Sequence, residues 1–463
     1  MTIHNMASHN NITLFLLLLI TLSSCRTRIN IEEFAHQLQP VLAKDDTKVK
    51  AGNLSVTLYD AYHKNSFAPI WTDENGSVKK GEEFIEELRG LWEDGIDTGR
   101  YRISYLSEVL NKLDKQKGNV APADVVAYDT LFTKTYILAA RDLLMGVLDA
   151  EETDDMWFHD NDTTWAVADR LAGPGYTSLE EYRSKIPLYS KLKQERKRLH
   201  ETGDDSLQRT VGVNLERLRW LPQELEAANI TVIIPQMQLY LTDDNKEVMN
   251  MKVVLGRADR ETPSLNAPIS NVVFNPSWGV PPGIMKKDVI PGMLSKGEAY
   301  LNKKGLKIYD RAGNEVPASQ VNEENYKSYV FRQPPSERNA LGQVKFDMPT
   351  PWNIYLHDTP SKDDFEKDDR TKSSGCVRLH YPLQLAEYLL MEMNGKEYDR
   401  QRIDSLTATN DTKYVKLKYP LPVHLVYLTV ADNGNSIVYL KDIYGKDARI
   451  NSLMQESKSV AIR

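Results

Sequence analysis

The chain has 463 residues, of which 41% are hydrophobic and 27% charged, and its formal net charge is −7. This length is enough for two or three domains with sizeable cores. The negative balance argues against nucleic acid as a partner. The nine histidines are scattered and no H-E-x-x-H or C-x-x-C occurs, so we expect no metal site and no cofactor.

The first 25 residues are predicted to be an export signal that is not part of the fold. Residues 12–22 form an apolar run that is too short to span a bilayer and suits the core of a signal peptide. The run ends in Leu-Ser-Ser-Cys at Cys25, which resembles the lipobox of bacterial lipoproteins. That resemblance implies lipidation of Cys25 and attachment to a membrane of the cell envelope. Because Arg26 follows, we expect the outer membrane.

An uncleaved anchor is the alternative, and either Met1 or Met6 could be the start. Both alternatives export the bulk of the chain. Cys25 and Cys376 are the two cysteines of the sequence, so lipidation of the first leaves one unpaired thiol in an oxidising compartment. An odd exported cysteine indicates a reactive role.

The hydrophobic periodicity changes once along the chain. Up to about residue 221 it is mainly helical, as in residues 81–92 and 123–148, where apolar residues recur three and four apart. Beyond that point β-rich runs predict a sandwich or barrel. These runs are residues 229–241, 247–255 and 269–275.

The β pattern is interrupted between about residues 279 and 338, where a helical run is flanked by loops. An insertion of this size is typical of a lid or a subdomain. The predicted fold class is α+β. A helical domain at residues 26–222 precedes a mainly β, sandwich-like domain at 223–450, which carries this helical lid insertion. Residues 451–463 are predicted to be a C-terminal tail.

The stretch that carries chemistry is residues 352–378. Its start alternates apolar and polar residues, which predicts a strand with Tyr355 and His357 on one face. A charged loop then returns the chain to Ser-Ser-Gly-Cys-Val-Arg at residues 373–378. The thiol of Cys376 is therefore expected near the imidazole of His357.

A nucleophilic cysteine needs a base, nearby positive charge, and backbone N–H groups for the oxyanion that forms. His357 is the candidate base and Arg378 the candidate charge. The N–H groups of Gly375 and Cys376 are the candidate oxyanion hole, because glycine lets the backbone turn tightly. The alternative is structural: a small buried cysteine, a hydrogen-bonded histidine and an ordinary turn.

The pattern H-x15-S-S-G-C-V-R resembles the active-site signature of the L,D-transpeptidases (YkuD-type). Many members carry a second histidine just before the glycine, where this chain has Ser374. That departure is similar to the large, scaffold-bearing (YcbB-like) branch of the family. Three upstream segments also resemble the scaffold domain of that branch. They are residues 62–71, 94–101 and 214–222.

The resemblance implies a peptidoglycan L,D-transpeptidase that carbapenems inhibit. Cys376 would attack the carbonyl between the diamino acid at stem position three and the terminal D-Ala of a tetrapeptide, releasing D-Ala and forming a thioester. His357 would move the protons, and the side-chain amine of a second stem would accept the acyl group. Water as the acceptor would make an L,D-carboxypeptidase, and a protein lysine would make a lipoprotein-anchoring enzyme. The expected partners are donor and acceptor stems, the membrane through Cys25, and cell-wall synthesis proteins.

Six residues are predicted to contact substrate. Arg378 could pair with a carboxylate, or could be an ordinary buried ion-pair partner. Trp278 resembles a wall of the donor site, in the segment that leads into the family's capping region. The full set is Arg378, Tyr355, Ser373, Ser374, Trp278 and Asn339, of which the two serines could instead shape the turn.

Two other functional classes remain open. One is a cysteine peptidase of another kind, for which the expected partner motifs are missing. The other is a noncatalytic envelope lipoprotein that binds glycan strands. Replacing Cys376 by alanine separates an enzyme from a binding protein, because binding should survive and turnover should not.

Overall fold

The structure is a computed structural model that describes residues 29–45, 48–51, 54–73, 76–116, 120–159 and 176–457. The predicted signal sequence and Cys25 lie outside these residues. Helices in the first half and strands in the second agree with the predicted α+β class. No described helix is long and apolar enough to cross a membrane.

The first part of the described chain is helical. Its elements are α1 (Ile31–Lys44), β1 (Val49–Ala51), β2 (Leu54–Val56), α2 (Leu58–Lys64), α3 (Lys79–Gly90), α4 (Ile103–Lys115), α5 (Pro122–Met145), α6 (Ala150–Thr153) and β3 (Trp157–His159). A capping box between Thr57 and Asp60 begins α2. Helix α5 begins at Pro122, where a missing N–H is tolerated, and it packs against α1 to α4. This central helix organises one apolar core.

A buried carboxylate of α5 holds the segment at residues 62–71 in place. Asp129 is fully buried and accepts hydrogen bonds from the Tyr62 hydroxyl (2.7 Å) and from the N–H groups of Ile70 (3.0 Å) and Trp71 (2.9 Å). Burial raises the pKa of Asp129 to about 6. The segment that resembles the family scaffold is therefore a structural anchor in this chain.

Two antiparallel helices, α7 (Pro187–Thr202) and α8 (Asp205–Arg219), join the halves of the molecule. Around α8 lies a cluster of buried and partly buried polar side chains, here called the polar joint: Asp94, Arg183, Tyr189, Glu216 and Arg219. Asp94 accepts from Arg183 Nη2 (2.9 Å) and from the Tyr189 hydroxyl (3.0 Å). Arg219 donates to the carbonyl of Asp94 (2.6 Å) and pairs with Glu216. The joint therefore ties α8 to the helical domain.

The β domain starts with four strands, β4 (Asn229–Ile233), β5 (Gln238–Asp243), β6 (Lys246–Gly256) and β7 (Ser264–Phe274). The lid follows and consists of β8 (Trp278–Gly279), α9 (Pro282–Ile284), a π-helical turn (Met285–Val289), α10 (Ile290–Lys296), α11 (Glu298–Lys304), β9 (Lys307–Tyr309), β10 (Glu315–Val316) and β11 (Val330–Gln333). Its strands form a separate sheet, in the order β10-β9-β11-β8, over a core of its own. The lid is thus a small α/β subdomain, and its strands were not predicted.

The remaining elements complete the β domain. They are β12 (Val344–Asp347), β13 (Leu356–His357), β14 (Thr371–Ser373), β15 (Val377–Leu379), α12 (Pro382–Met391), α13 (Arg400–Thr407), β16 (Lys413–Val426), β17 (Val430–Asp432), β18 (Ile437–Tyr439) and α14 (Asp447–Glu456). The main sheet runs β12-β13-β15-β6-β5-β4-β16-β7, and β7 pairs again with β12, so the order closes on itself. The apolar side chains of this sheet form one core, to which buried residues of α12 and α13 also contribute.

The predicted C-terminal tail differs from the structure. Residues 447–456 form α14, which packs against α8, and its Ile450 is buried beside Trp220 and Val213. Arg217 of α8 pairs with Asp447 (2.5 Å) at the start of this helix. Ile450 is the one buried residue of this helix and Met454 packs partly buried beside it, so this mostly polar segment has too few apolar positions to predict a packed helix.

Candidate active site

Three neighbouring strands place the predicted reactive side chains on one face of the closed sheet. In the register of β12, β13 and β15, Lys345 lies opposite His357 and His357 lies opposite Arg378. Tyr355 and Cys376 each precede these residues by two positions, so they lie on the same face in the next row. The intervening Leu356 and Val377 point into the core. The predicted strand is shorter than expected, because β13 contains only Leu356 and His357, while Trp352 lies in a turn and Asn353 has φ +53°.

The turn before β15 fixes the backbone beside the thiol. Gly375 has φ +112°, and a Cβ there would lie 3.1 Å from Ile354 Cδ1, so glycine is required. The Ser373 hydroxyl accepts from the Gly375 N–H (3.1 Å) and donates to the Cys376 carbonyl (2.6 Å). Ser373 therefore shapes the turn, which was the alternative reading of its role.

The loop between β6 and β7 supports this turn from behind. Thr262 Oγ1 donates to the Gly375 carbonyl (2.8 Å) and accepts from the Gly256 N–H (2.9 Å). The Arg257 N–H donates to the Ser373 carbonyl (3.1 Å). Because these groups are buried and paired on both sides, the position of Cys376 is well fixed before substrate arrives.

His357 is arranged as a neutral base. The side chain is 4% exposed, and its Nδ1 contacts the carbonyl of Asp358. A carbonyl oxygen can only accept, so Nδ1 carries the proton and Nε2 is left with its lone pair. Burial, together with the cations Arg378 and Lys345, lowers the pKa of His357 to about 3.

The thiol is also neutral at rest. Cys376 is half-buried, and Sγ lies 3.8 Å from the Asn353 carbonyl. Burial raises the pKa of the thiol, while Arg378 and Lys345 act in the opposite direction. The thiolate is therefore expected to form as the sulfur attacks, with the proton passing to the imidazole.

The lowered pKa of His357 and the raised pKa of Cys376 predict how the rate of thiol alkylation depends on pH. Iodoacetamide should react slowly with Cys376 at neutral pH and speed up above the ordinary thiol pKa of 9.0, because alkylation needs the thiolate. Lys345→Gln should move the rise to higher pH, since it removes a cation that favours the thiolate. Mass spectrometry of the alkylated protein measures the rate. A plateau between about pH 5 and 8, which a thiolate–imidazolium pair would give, contradicts the prediction.

Two further side chains share this face. The Lys345 ammonium lies 4.5 Å above the Tyr355 ring and 2.6 Å from Asp347. Burial, Cys376 and Asp347 raise the pKa of Tyr355 to about 12, so its hydroxyl keeps its proton and can donate. Arg378 pairs weakly with Asp364 (3.4 Å) and stays part-exposed. Tyr355 and Arg378 thus lie where the sequence predicted.

Two predicted roles are wrong. Gly375 donates its N–H to Ser373 and is not free to hold an oxyanion. Asn339 is fully buried, and its amide binds the carbonyls of Pro276, Gln333 and Pro334, so it clamps the two connections of the lid. Trp278 is part-buried and packs against the lid core as part of β8, and its role as a wall of the donor site stays a prediction.

Sequence reasoning missed three residues of the site. Lys345 could have been found, because it alternates with apolar residues on a strand that precedes the catalytic one. Thr262 and Arg260 had no signal, since both reach the turn from a loop more than a hundred positions away. Within the described residues, no group of three or more His, Cys, Asp or Glu side chains is placed to hold a metal ion.

Comparison with known proteins gives two family matches. Residues 227–407 match the family of L,D-transpeptidase catalytic domains (YkuD). The β part of the chain is therefore similar to an L,D-transpeptidase catalytic domain. Residues 56–195 match the scaffold domain family, which corresponds to the helical part. The helix α8 lies between the two matched regions.

Relatives of the L,D-transpeptidase domain include a Haemophilus influenzae protein whose name marks it as a provisionally assigned L,D-transpeptidase. It is 28% identical over 405 residues, which cover 84% of this chain and 78% of the relative. Solved structures include the Ldtfm-avibactam carbamoyl enzyme, with 12% identity and a TM-score of 0.21 over 44% of this chain. The chain spans about half of that protein (51%). The Enterococcus faecium catalytic domain acylated by ertapenem has 11% identity and a TM-score of 0.21, over 44% of this chain and 98% of that one.

Proposed function

We propose that this protein is a peptidoglycan L,D-transpeptidase that works through a thioester on Cys376. The observation that carries the proposal is the placement of Cys376, His357 and Arg378 on one sheet face, within a catalytic domain of that family. In the first step His357 Nε2 takes the thiol proton, and the sulfur bonds to the carbonyl carbon of the diamino acid. The bond between that carbon and the D-Ala nitrogen then breaks. The same proton leaves with the D-Ala amine.

The second step regenerates the thiol. The side-chain amine of another stem attacks the thioester, gives a proton to His357, and forms a bond between two diamino acids. The sulfur then recovers that proton. In both steps the oxyanion needs donors, for which we propose the Cys376 N–H and the Tyr355 hydroxyl in place of Gly375.

We further propose that the enzyme acts in the cell envelope, anchored through lipid on Cys25 with the outer membrane favoured. The support is the apolar run that ends in Leu-Ser-Ser-Cys. Carbapenems should acylate the same sulfur, and cell-wall synthesis proteins are expected partners. Metabolic labelling with a radioactive fatty acid, compared with Cys25→Ala, tests the anchor.

The reaction is tested by incubating residues 26–463 with a disaccharide tetrapeptide and separating the products by mass spectrometry. Release of D-Ala with dimeric muropeptides is the expected result, because the thioester is shielded by the lid from water. Tripeptide without dimer would make the protein an L,D-carboxypeptidase. Binding without release of D-Ala would favour the noncatalytic glycan-binding protein.

A further inference from the structure

Arg260 connects the lid to the catalytic turn. Its Nη1 and Nη2 donate to Oδ2 (2.6 Å) and Oδ1 (2.9 Å) of Asp288, which lies in the π-helical turn of the lid. The same Nη1 also donates to Ser374 Oγ (3.1 Å), two residues before the nucleophile Cys376. A guanidinium at the edge of the active site therefore already holds a carboxylate.

The contact has the geometry of a carboxylate-binding site. Both oxygens of Asp288 meet the two ends of one guanidinium, which is the bidentate arrangement that makes arginine selective for carboxylates. The Arg260 side chain is 12% exposed and Asp288 is 45% exposed. The guanidinium is thus mostly buried, while its carboxylate partner is half-exposed and belongs to a separate subdomain.

Arg260 is also held firmly by the catalytic domain. Its N–H donates to the Arg257 carbonyl (2.8 Å), and its own carbonyl lies against Gly256, where a Cβ would approach to 2.2 Å. Thr262 then fixes the end of this loop to Gly375. The guanidinium is therefore presented at a set position relative to Cys376, as a recognition site requires.

We propose that Arg260 binds the free carboxylate of the terminal D-Ala of the donor stem, and that Asp288 occupies this place while the lid is at rest. The inference rests on the proposed function, because it names the part of that substrate which Arg260 recognises. The scissile carbonyl and the terminal carboxylate of the donor are one residue apart, about 3.5 Å of extended chain, and Arg260 contacts the segment that carries the nucleophile at Ser374, two residues before Cys376. Arrival of substrate displaces Asp288 and releases the lid from the turn.

The test measures binding in the Cys376→Ala background, so that it does not depend on turnover. Calorimetry compares the disaccharide tetrapeptide with the same compound ending in a carboxamide. The free acid should bind about 10- to 100-fold more tightly, since a charged hydrogen-bonded pair is lost in the amide. Arg260→Gln should remove that ratio, and Arg260→Lys should restore part of it.

Two matched variants complete the design. Arg257→Gln removes a positive charge from the same loop, where that side chain pairs with Asp259, and it should keep the acid-to-amide ratio. Asp288→Asn removes the competing carboxylate and should tighten binding of the free acid several-fold. Thermal midpoints within the range of the parent exclude misfolding.

Three outcomes overturn the inference: equal binding of acid and amide by the parent, an unchanged ratio in Arg260→Gln, or weaker acid binding by Asp288→Asn, which would make the pair merely structural. If the parent binds the free acid more tightly than the carboxamide but the wild type releases no D-Ala, the proposed reaction is overturned and the carboxylate site remains.

Discussion

Cys376→Ala is expected to lose all covalent adduct with a carbapenem and all D-Ala release from a tetrapeptide, while the protein stays folded. Removing the nucleophile of such a unit lowers the rate by about 10⁴-fold or more. The thiol is half-buried at the edge of the β-domain core and makes one weak hydrogen bond, at 3.8 Å to the Asn353 carbonyl, so the free energy of unfolding should fall by about 1 kcal/mol or less. Intact mass and thermal unfolding measure the two effects.

The matched control for this prediction is Ser374→Ala, which removes a neighbouring hydroxyl bonded to Arg260. It should still form the adduct on Cys376. An adduct of equal yield on Cys376→Ala would show that the carbapenem reacts elsewhere, and the nucleophile assignment would fail.

Asp94→Ala is expected to cause the largest loss of stability among single changes in the polar joint. Asp94 is fully buried and accepts from Arg183 and Tyr189, with the ammonium of Lys193 3.5 Å away. Removing one partner of a buried ionic cluster leaves uncompensated charge and costs about 3–5 kcal/mol. Urea unfolding followed by circular dichroism measures the loss.

The control is Glu83→Ala on α3, where Glu83 and Lys79 form an exposed pair at 3.6 Å. That change should alter unfolding by no more than about 0.5 kcal/mol, because exposed pairs contribute little. Equal midpoints for Asp94→Ala and Glu83→Ala would mean that the joint carries no stability. Asp94→Asn should fall between them, since the amide keeps the shape and loses the charge.

Local pattern predicted the catalytic stretch, because period-two alternation decides which face of a strand a side chain occupies. It placed Tyr355 and His357 together, and in the structure Lys345 lies opposite His357 in the sheet register and 4.5 Å above the Tyr355 ring. The same reasoning failed for Gly375 and Asn339, whose roles depend on where each N–H or amide is bonded. Such pairings join distant parts of the chain, and no sequence pattern encodes them.

The scaffold segments show a similar limit. Their aromatic residues were interpreted as packing or as family motifs, and both descriptions leave out the buried carboxylates Asp129 and Asp142, which accept hydrogen bonds from Tyr62 and Tyr101. A carboxylate inside a helical pattern normally predicts a solvent-facing position. Only the fold reveals that Asp129 accepts hydrogen bonds from two backbone N–H groups, those of Ile70 and Trp71.

The contacts around α8 also set an order of events during biosynthesis. The apolar sides of Leu192, Leu215 and Leu218 meet Val426 and Val430, which are made roughly two hundred residues later. While the chain emerges from its amino end, those leucines have no strand to cover them. A premature stop near residue 420 would therefore remove Val426 and Val430 and leave these leucines uncovered.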